Sequence, residues 1–171
     1  AVIGAAMALF PPVSQGQTIK TQAHSVRVVK VVEGLEYPWG LAFLPDGRML
    51  VTERPGRLRM VGKDGKLEPQ AITGLPQIAA YGQGGLLDVT LHPRFAQNGF
   101  VYLSYVSRGD GGVGTEVARA KLDGNRLEDV QVIFRQQPKG STGRHFGSRL
   151  VFDRAGFLYI TLGDRGQMER A

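Results

Sequence analysis

The chain has 171 residues, 42% of them hydrophobic and 21% charged, enough to bury a core as one domain or as a piece of a larger one. It contains no cysteine, which excludes a disulfide framework and any thiolate metal site. The formal charge is +6, from 21 basic and 15 acidic residues, but the basic residues are scattered with no run of five, which argues against a nucleic-acid-binding arm.

The chain opens on "AVIGAAMALFPPVSQGQ", an apolar stretch followed by prolines, serine and glutamines. It is too short to span a bilayer and has the character of the apolar part of a secretory signal peptide, with small residues near a cleavage point. Residues 1–17 are therefore set aside as the remnant of a signal peptide clipped at its front, and 18–171 as the folded part. This predicts a periplasmic or secreted protein without stable membrane insertion; a disordered apolar tag is the alternative.

Beyond the leader the sequence is glycine-rich and strand-like, and three segments repeat one design. They are "WGLAFLPDGRMLVTERPGRLRMV" from Trp39, "LLDVTLHPRFAQNGFVYLSYV" from Leu86 and "SRLVFDRAGFLYITLGDRG" from Ser148. Each reads as an apolar strand, a turn ending in glycine (Gly47, Gly99, Gly156) and a second apolar strand. Pro45 and Pro93 lie 48 residues apart, and Gly99 and Gly156 lie 57 apart. These spacings are close to the roughly 40–50 residues of a four-stranded propeller blade. Further strands are predicted at "GRLRMVG", "EVARAKLDG" and "VQVIFRQ", while "RGDGGVG" reads as a flexible loop. The expected fold is all-β, an incomplete β-propeller of about two and a half to three blades, truncated at the C-terminus, with a β-sandwich as the competing architecture.

The third repeat carries the candidate chemistry. Its turn centres near Ala155, with His145 ten residues before and Asp164 nine after, so antiparallel pairing returns both to the same end of the hairpin. Six residues before Val89 of the second repeat lies Gln83, and six before its counterpart Leu150 lies Arg144, the neighbour of His145. Gln83, His145 and Asp164 thus converge on one end of adjacent blades. Each also has an ordinary reading: a hydrogen-bonded loop histidine, a turn aspartate, a backbone-capping glutamine. His92 falls in a turn at the far end, and the three histidines lack metal-ligand spacing, so no metal ligand is assigned. Dinucleotide, calcium-loop and GxSxG signatures are weak or missing.

The segments "YPWGLAFLPDGRMLVTERPGRLRMV", "GQGGLLDVTLHPRFAQNGFVYLSYV" and "HFGSRLVFDRAGFLYITLGDRG" together resemble the soluble pyrroloquinoline quinone (PQQ)-dependent sugar dehydrogenases, the glucose/sorbosone dehydrogenase group and its aldose sugar dehydrogenases. The resemblance runs from about Val26 to Gly166. It implies a six-bladed β-propeller of exported bacterial proteins that oxidises the anomeric hydroxyl of aldoses to the lactone and passes electrons through PQQ to an external acceptor. By the same resemblance His145 is the base that takes the hydroxyl proton and a contact of the quinone, Asp164 is the carboxylate that orients that base, and Gln83 is a quinone or substrate contact. The family's Ca2+ ligands and its quinone-binding cations match nothing here and are expected outside this stretch. Arg144 and Arg165 carry no motif-based assignment. The alternatives are a non-catalytic propeller that binds protein or carbohydrate and, less well supported, a metal-dependent lactonase.

Overall fold

The computed structural model describes residues 16–170. The signal-peptide reading therefore lies outside the described residues, apart from Gly16 and Gln17. A small exposed hairpin comes first, with β1 (Gln17–Lys20) antiparallel to β2 (Ser25–Val28). Each of the three sequence repeats then forms its own antiparallel sheet. The first contains β3 (Pro38–Phe43), β4 (Met49–Glu53) and β5 (Arg57–Val61) in that order. The second contains β6 (Leu86–Leu91), β7 (Phe100–Gly109), β8 (Gly112–Asp123) and β9 (Arg126–Arg135), also in order. The third is the hairpin of β10 (Gly147–Phe152) and β11 (Leu158–Leu162).

Local chemistry explains these boundaries. Gly47 and Gly156 take φ of 90° in the turns of the first and third hairpins, a left-handed region where a side chain would be strained. The second turn is longer and folds into one helical turn, α1 (Phe95–Asn98), closed by left-handed Gly99 donating to the Phe95 carbonyl at 2.8 Å. "RGDGGVG" departs from its reading as a loop: Arg108 pairs with Val113 and Gly109 with Gly112, leaving Asp110-Gly111 as a tight hairpin turn. Aspartate followed by glycine suits the positive φ such a turn needs.

The sheets stack face to face. Leu50 and Leu58 of the first sheet bury against Leu86, Val89 and Leu103 of the second. On the other side of the second sheet, Tyr102 and Val117 pack on Leu150, with Phe152 and Ile160 alongside. Each fully buried aliphatic side chain contributes about 1.5–3 kcal/mol, so these two seams hold the arc together. The sheets do not close into a ring among the described residues; the chain is all-β, an incomplete propeller.

One irregularity repeats in all three sheets. Pairing passes from Pro38↔Glu53 to Leu41↔Val51, from Leu86↔Tyr105 to Val89↔Leu103, and from Gly147↔Leu162 to Leu150↔Ile160. In each case the first strand takes one residue more than its partner, which is a β-bulge. The bulged amides of Gly40, Asp88 and Arg149 donate to the hydroxyls of Thr52, Ser104 and Thr161 at 2.8, 2.9 and 2.8 Å. The Thr52 hydroxyl in turn donates to the Leu87 carbonyl of the second sheet, and the Ser104 hydroxyl to the Ser148 carbonyl of the third at 2.6 Å.

Candidate active site

His145 sits at the end of the connection from β9 to β10, and that connection is nailed to the second sheet. The buried Lys139 ammonium donates to Glu116 Oε1 at 2.9 Å, to the Arg108 carbonyl at 3.1 Å and to the Ser107 hydroxyl. Burial alone would push the Glu116 carboxyl up; Lys139 with the Ser107 and Tyr105 hydroxyls outweighs it and holds it below the usual range. Gln136 exchanges hydrogen bonds with the backbone of Thr115, and Val113 and Gly140 exchange backbone bonds of 2.9 and 3.1 Å. Phe146 then inserts into an apolar cluster with Leu87, Val106 and Val113.

Asp164 arrives from the other strand. Its Oδ1 lies 2.7 Å from His145 Nδ1 and accepts the Gly166 amide at 2.8 Å. The Gly166 amide, then His145 and the charge of Arg144, hold this carboxyl below the usual range. An ionised carboxylate only accepts, so the ring proton belongs on Nδ1 and the lone pair on Nε2. Nε2 has no protein partner among the described residues, and the histidine side chain is 51% exposed.

His145 and the arginine that follows Asp164 both sit on strained backbone. His145 and Arg165 take φ of 51° and 57°, which costs a residue with a side chain on the order of 1–3 kcal/mol each. The second sheet and Arg165 over-determine the geometry. The Arg165 guanidinium, only 1% exposed, donates to the carbonyls of Arg144 and Val113, each at 3.0 Å, and to that of Thr142. It lies 3.9 Å over the Phe146 ring, and its own amide reaches the His145 carbonyl at 3.3 Å.

Gln83 comes from the loop ahead of β6. Its side-chain oxygen accepts the His145 amide at 3.0 Å, and its own amide donates to the Gly143 carbonyl at 2.7 Å. Such proximity requires glycine: a Cβ on Gly82 would fall on the Gly143 carbonyl. Gln83 is thus a brace on the backbone of His145, the capping role of its ordinary reading. Beside it a cleft of about 210 Å³ lies between Tyr37, Arg54, Tyr81 and Gly82, with Arg54 stacked over Tyr37 at 5.2 Å.

The structure therefore brings together all three site residues singled out in the sequence. His92 is elsewhere, its Nδ1 bonded to the Arg94 amide at 3.0 Å and the Asn98 side chain at 2.9 Å. A more voluminous cleft, about 750 Å³, lies at that far end among Leu44, Phe95 and Lys121 and contains neither His145 nor Asp164. Sequence reasoning missed Lys139 and Arg165 as organisers. Arg165 had one signal, its place directly after Asp164; Lys139 had none, because its partner is 23 residues away.

Residues 35–171 match the family model of glucose/sorbosone dehydrogenases. The chain belongs to the glucose/sorbosone dehydrogenase family. It is 44% identical over 167 residues to the aldose sugar dehydrogenase YliI of Escherichia coli, covering 95% of this chain and 45% of that protein. A glucose dehydrogenase crystal structure matches with 49% identity and a TM-score of 0.75, over 92% of this chain and 42% of the other. The PQQ-bound form of an aldose sugar dehydrogenase from Streptomyces coelicolor matches with 29% identity and a TM-score of 0.72, over 94% of this chain and 45% of the other. The chain spans less than half the length of these relatives. Among the described residues no three His, Asp or Glu side chains cluster as a metal site. No helix of the described residues is long and apolar enough to cross a membrane.

Proposed function

We propose that this chain supplies the proton-abstracting side of a PQQ-dependent aldose dehydrogenase that oxidises the anomeric hydroxyl to the lactone. The single observation that supports it is the His145 Nδ1–Asp164 Oδ1 contact of 2.7 Å, on a half-exposed imidazole whose Nε2 has no partner among the described residues. The residues present fit one rim of a quinone site: a lone-pair imidazole nitrogen, the Gln83 amide, and a cleft of arginine and tyrosine beside it.

Nε2 of His145 takes the proton from the anomeric hydroxyl. As that O–H bond breaks, its electron pair forms the new C=O bond, and the C1–H bond departs with its own pair. Bound PQQ would supply the two-electron acceptor for that hydride and hand the electrons on to an external acceptor. Asp164 stays ionised and stabilises the imidazolium that forms. Gln83 holds the His145 backbone so that the ring meets substrate in one orientation. Export to the periplasm or beyond belongs to the same reading.

The test is dye-coupled oxidation of several aldoses by the full-length protein loaded with quinone. His145→Ala is expected to lower kcat by about 10²–10⁴-fold while the protein still binds quinone, the range for loss of a general base. Undiminished kcat in that variant would remove His145 from the reaction; absence of any aldose oxidation by the loaded parent protein would favour a binding propeller.

A further inference from the structure

The cleft of about 750 Å³ at the end remote from His145 has both its walls from this chain. The turn of the first hairpin, with Asp46 and Arg48, forms one wall; α1, the end of β8 and Asp129 of β9 form the other. Leu44, Phe95 and Leu122 give it an apolar lining and pack back into the core between the first two sheets. Its size falls within the roughly 300–1,000 Å³ of ligand pockets.

One wall is built at a cost in backbone strain. Pairing passes from Arg119↔Gln131 to Lys121↔Glu128, so Asp129 and Val130 stand opposite the single Ala120. Asp129 there takes a φ of 49°, in the left-handed region. A bulge of this kind re-aims a side chain, and this one sets the Asp129 carboxylate on the cleft. That carboxylate has no hydrogen bond or ion pair among the described residues, and neither have the side chains of Gln97 and Lys121 beside it. Asp46 and Arg48, across from them, are joined by two contacts of 2.8 Å.

We infer that this cleft is a second binding site, for a neutral saccharide. The cations Arg48 and Lys121 and the carboxylates Asp46 and Asp129 cancel around it, so neither an anion nor a cation is favoured. A hydrocarbon would take Asp129, Lys121 and Gln97 out of water without giving them partners. A sugar suits the mixture: its hydroxyls donate to Asp129 and accept from Lys121 and Gln97, while its C–H face lies on Phe95 and Leu122. Arg48 and Gly124 also border a smaller cleft of about 320 Å³ that holds Gln70 and Asn125. A short chain of sugar rings therefore fits the groove better than a single ring. The site does not depend on the chemistry at His145.

The test is isothermal titration calorimetry of the full-length protein, without quinone, using maltotriose, glucose and glucuronate. Maltotriose is expected to bind, and more tightly than the other two. Asp129→Gly should weaken it by about tenfold or more, as loss of a hydrogen bond to a charged group does. Glycine takes the left-handed backbone freely, so this variant keeps the fold, which its melting curve checks. Lys121→Met should weaken binding to a similar extent, and His145→Ala should leave it unchanged. Absence of maltotriose binding overturns the inference. So does binding that survives Asp129→Gly or Lys121→Met, binding lost with His145→Ala, or tighter binding of glucose or glucuronate. No oxidation is measured, so failure here leaves the proposed dehydrogenase reaction standing, and failure of that reaction leaves this site standing.

Discussion

The second sheet and the third hairpin begin from similar sequences and end in different circumstances. Strand β6 has its first four residues buried, with cores on both faces of the sheet it opens. Strand β10 alternates buried and exposed positions, because only the face toward the second sheet is covered. Alternation is therefore a statement about neighbours rather than about the strand itself. The site lies where the two regions meet: the covered sheet supplies rigidity, and the hairpin supplies the imidazole and the carboxylate.

The sharpest way to break this division is to cut the tie between the two. Lys139→Met leaves the Glu116 carboxylate buried without its cation and is expected to cost about 3–5 kcal/mol, read by denaturant unfolding. An unchanged midpoint would show that the connection carrying His145 is held by something other than this pair. Next in size is a contrast within one strand. Leu150→Ala, on the covered face, should cost about 2–5 kcal/mol, whereas Val151→Ala, on the face left open among the described residues, should stay within about 0.5 kcal/mol as long as no further part of the protein covers it. Equal losses would mean that the open face is not open in solution.

The smallest effect is acidic. The Asp164 carboxyl titrates below its ordinary value in the folded protein, so its stabilising share is complete above about pH 4 and fades as pH falls through the lower folded value. Melting curves of the parent and Asp164→Asn should differ near pH 5 and converge as pH falls below about 4. A difference that grows on acidification would reverse the sign.

Much of this was legible in the sequence, and the bulge explains one odd detail of it. His145 lies ten residues before the turn centre and Asp164 nine after, an imbalance that a regular hairpin would turn into a mismatch. The extra residue between Gly147 and Leu150 absorbs it. The Gln83 position was found because matching Val89 to Leu150 is correct: both are the first paired residues after a bulge. What escaped was tertiary. Arg165 gathers carbonyls from Val113, Thr142 and Arg144, and no local pattern announces such a set. The hydroxyl series did leave a trace, a lone Thr or Ser inside the apolar runs "MLVTE", "VYLSYV" and "LYITL", which reads as noise until the three are aligned.

The bulges have a consequence for how such a protein can change. Each inner strand is divided in two, with regular ladder pairing on the side that packs and a side-chain hydroxyl bridging the gap toward the side that works. Substitutions or lengthened loops at the working end can shift there without sliding the packed half by a residue. Specificity is free to drift while the framework stays in step.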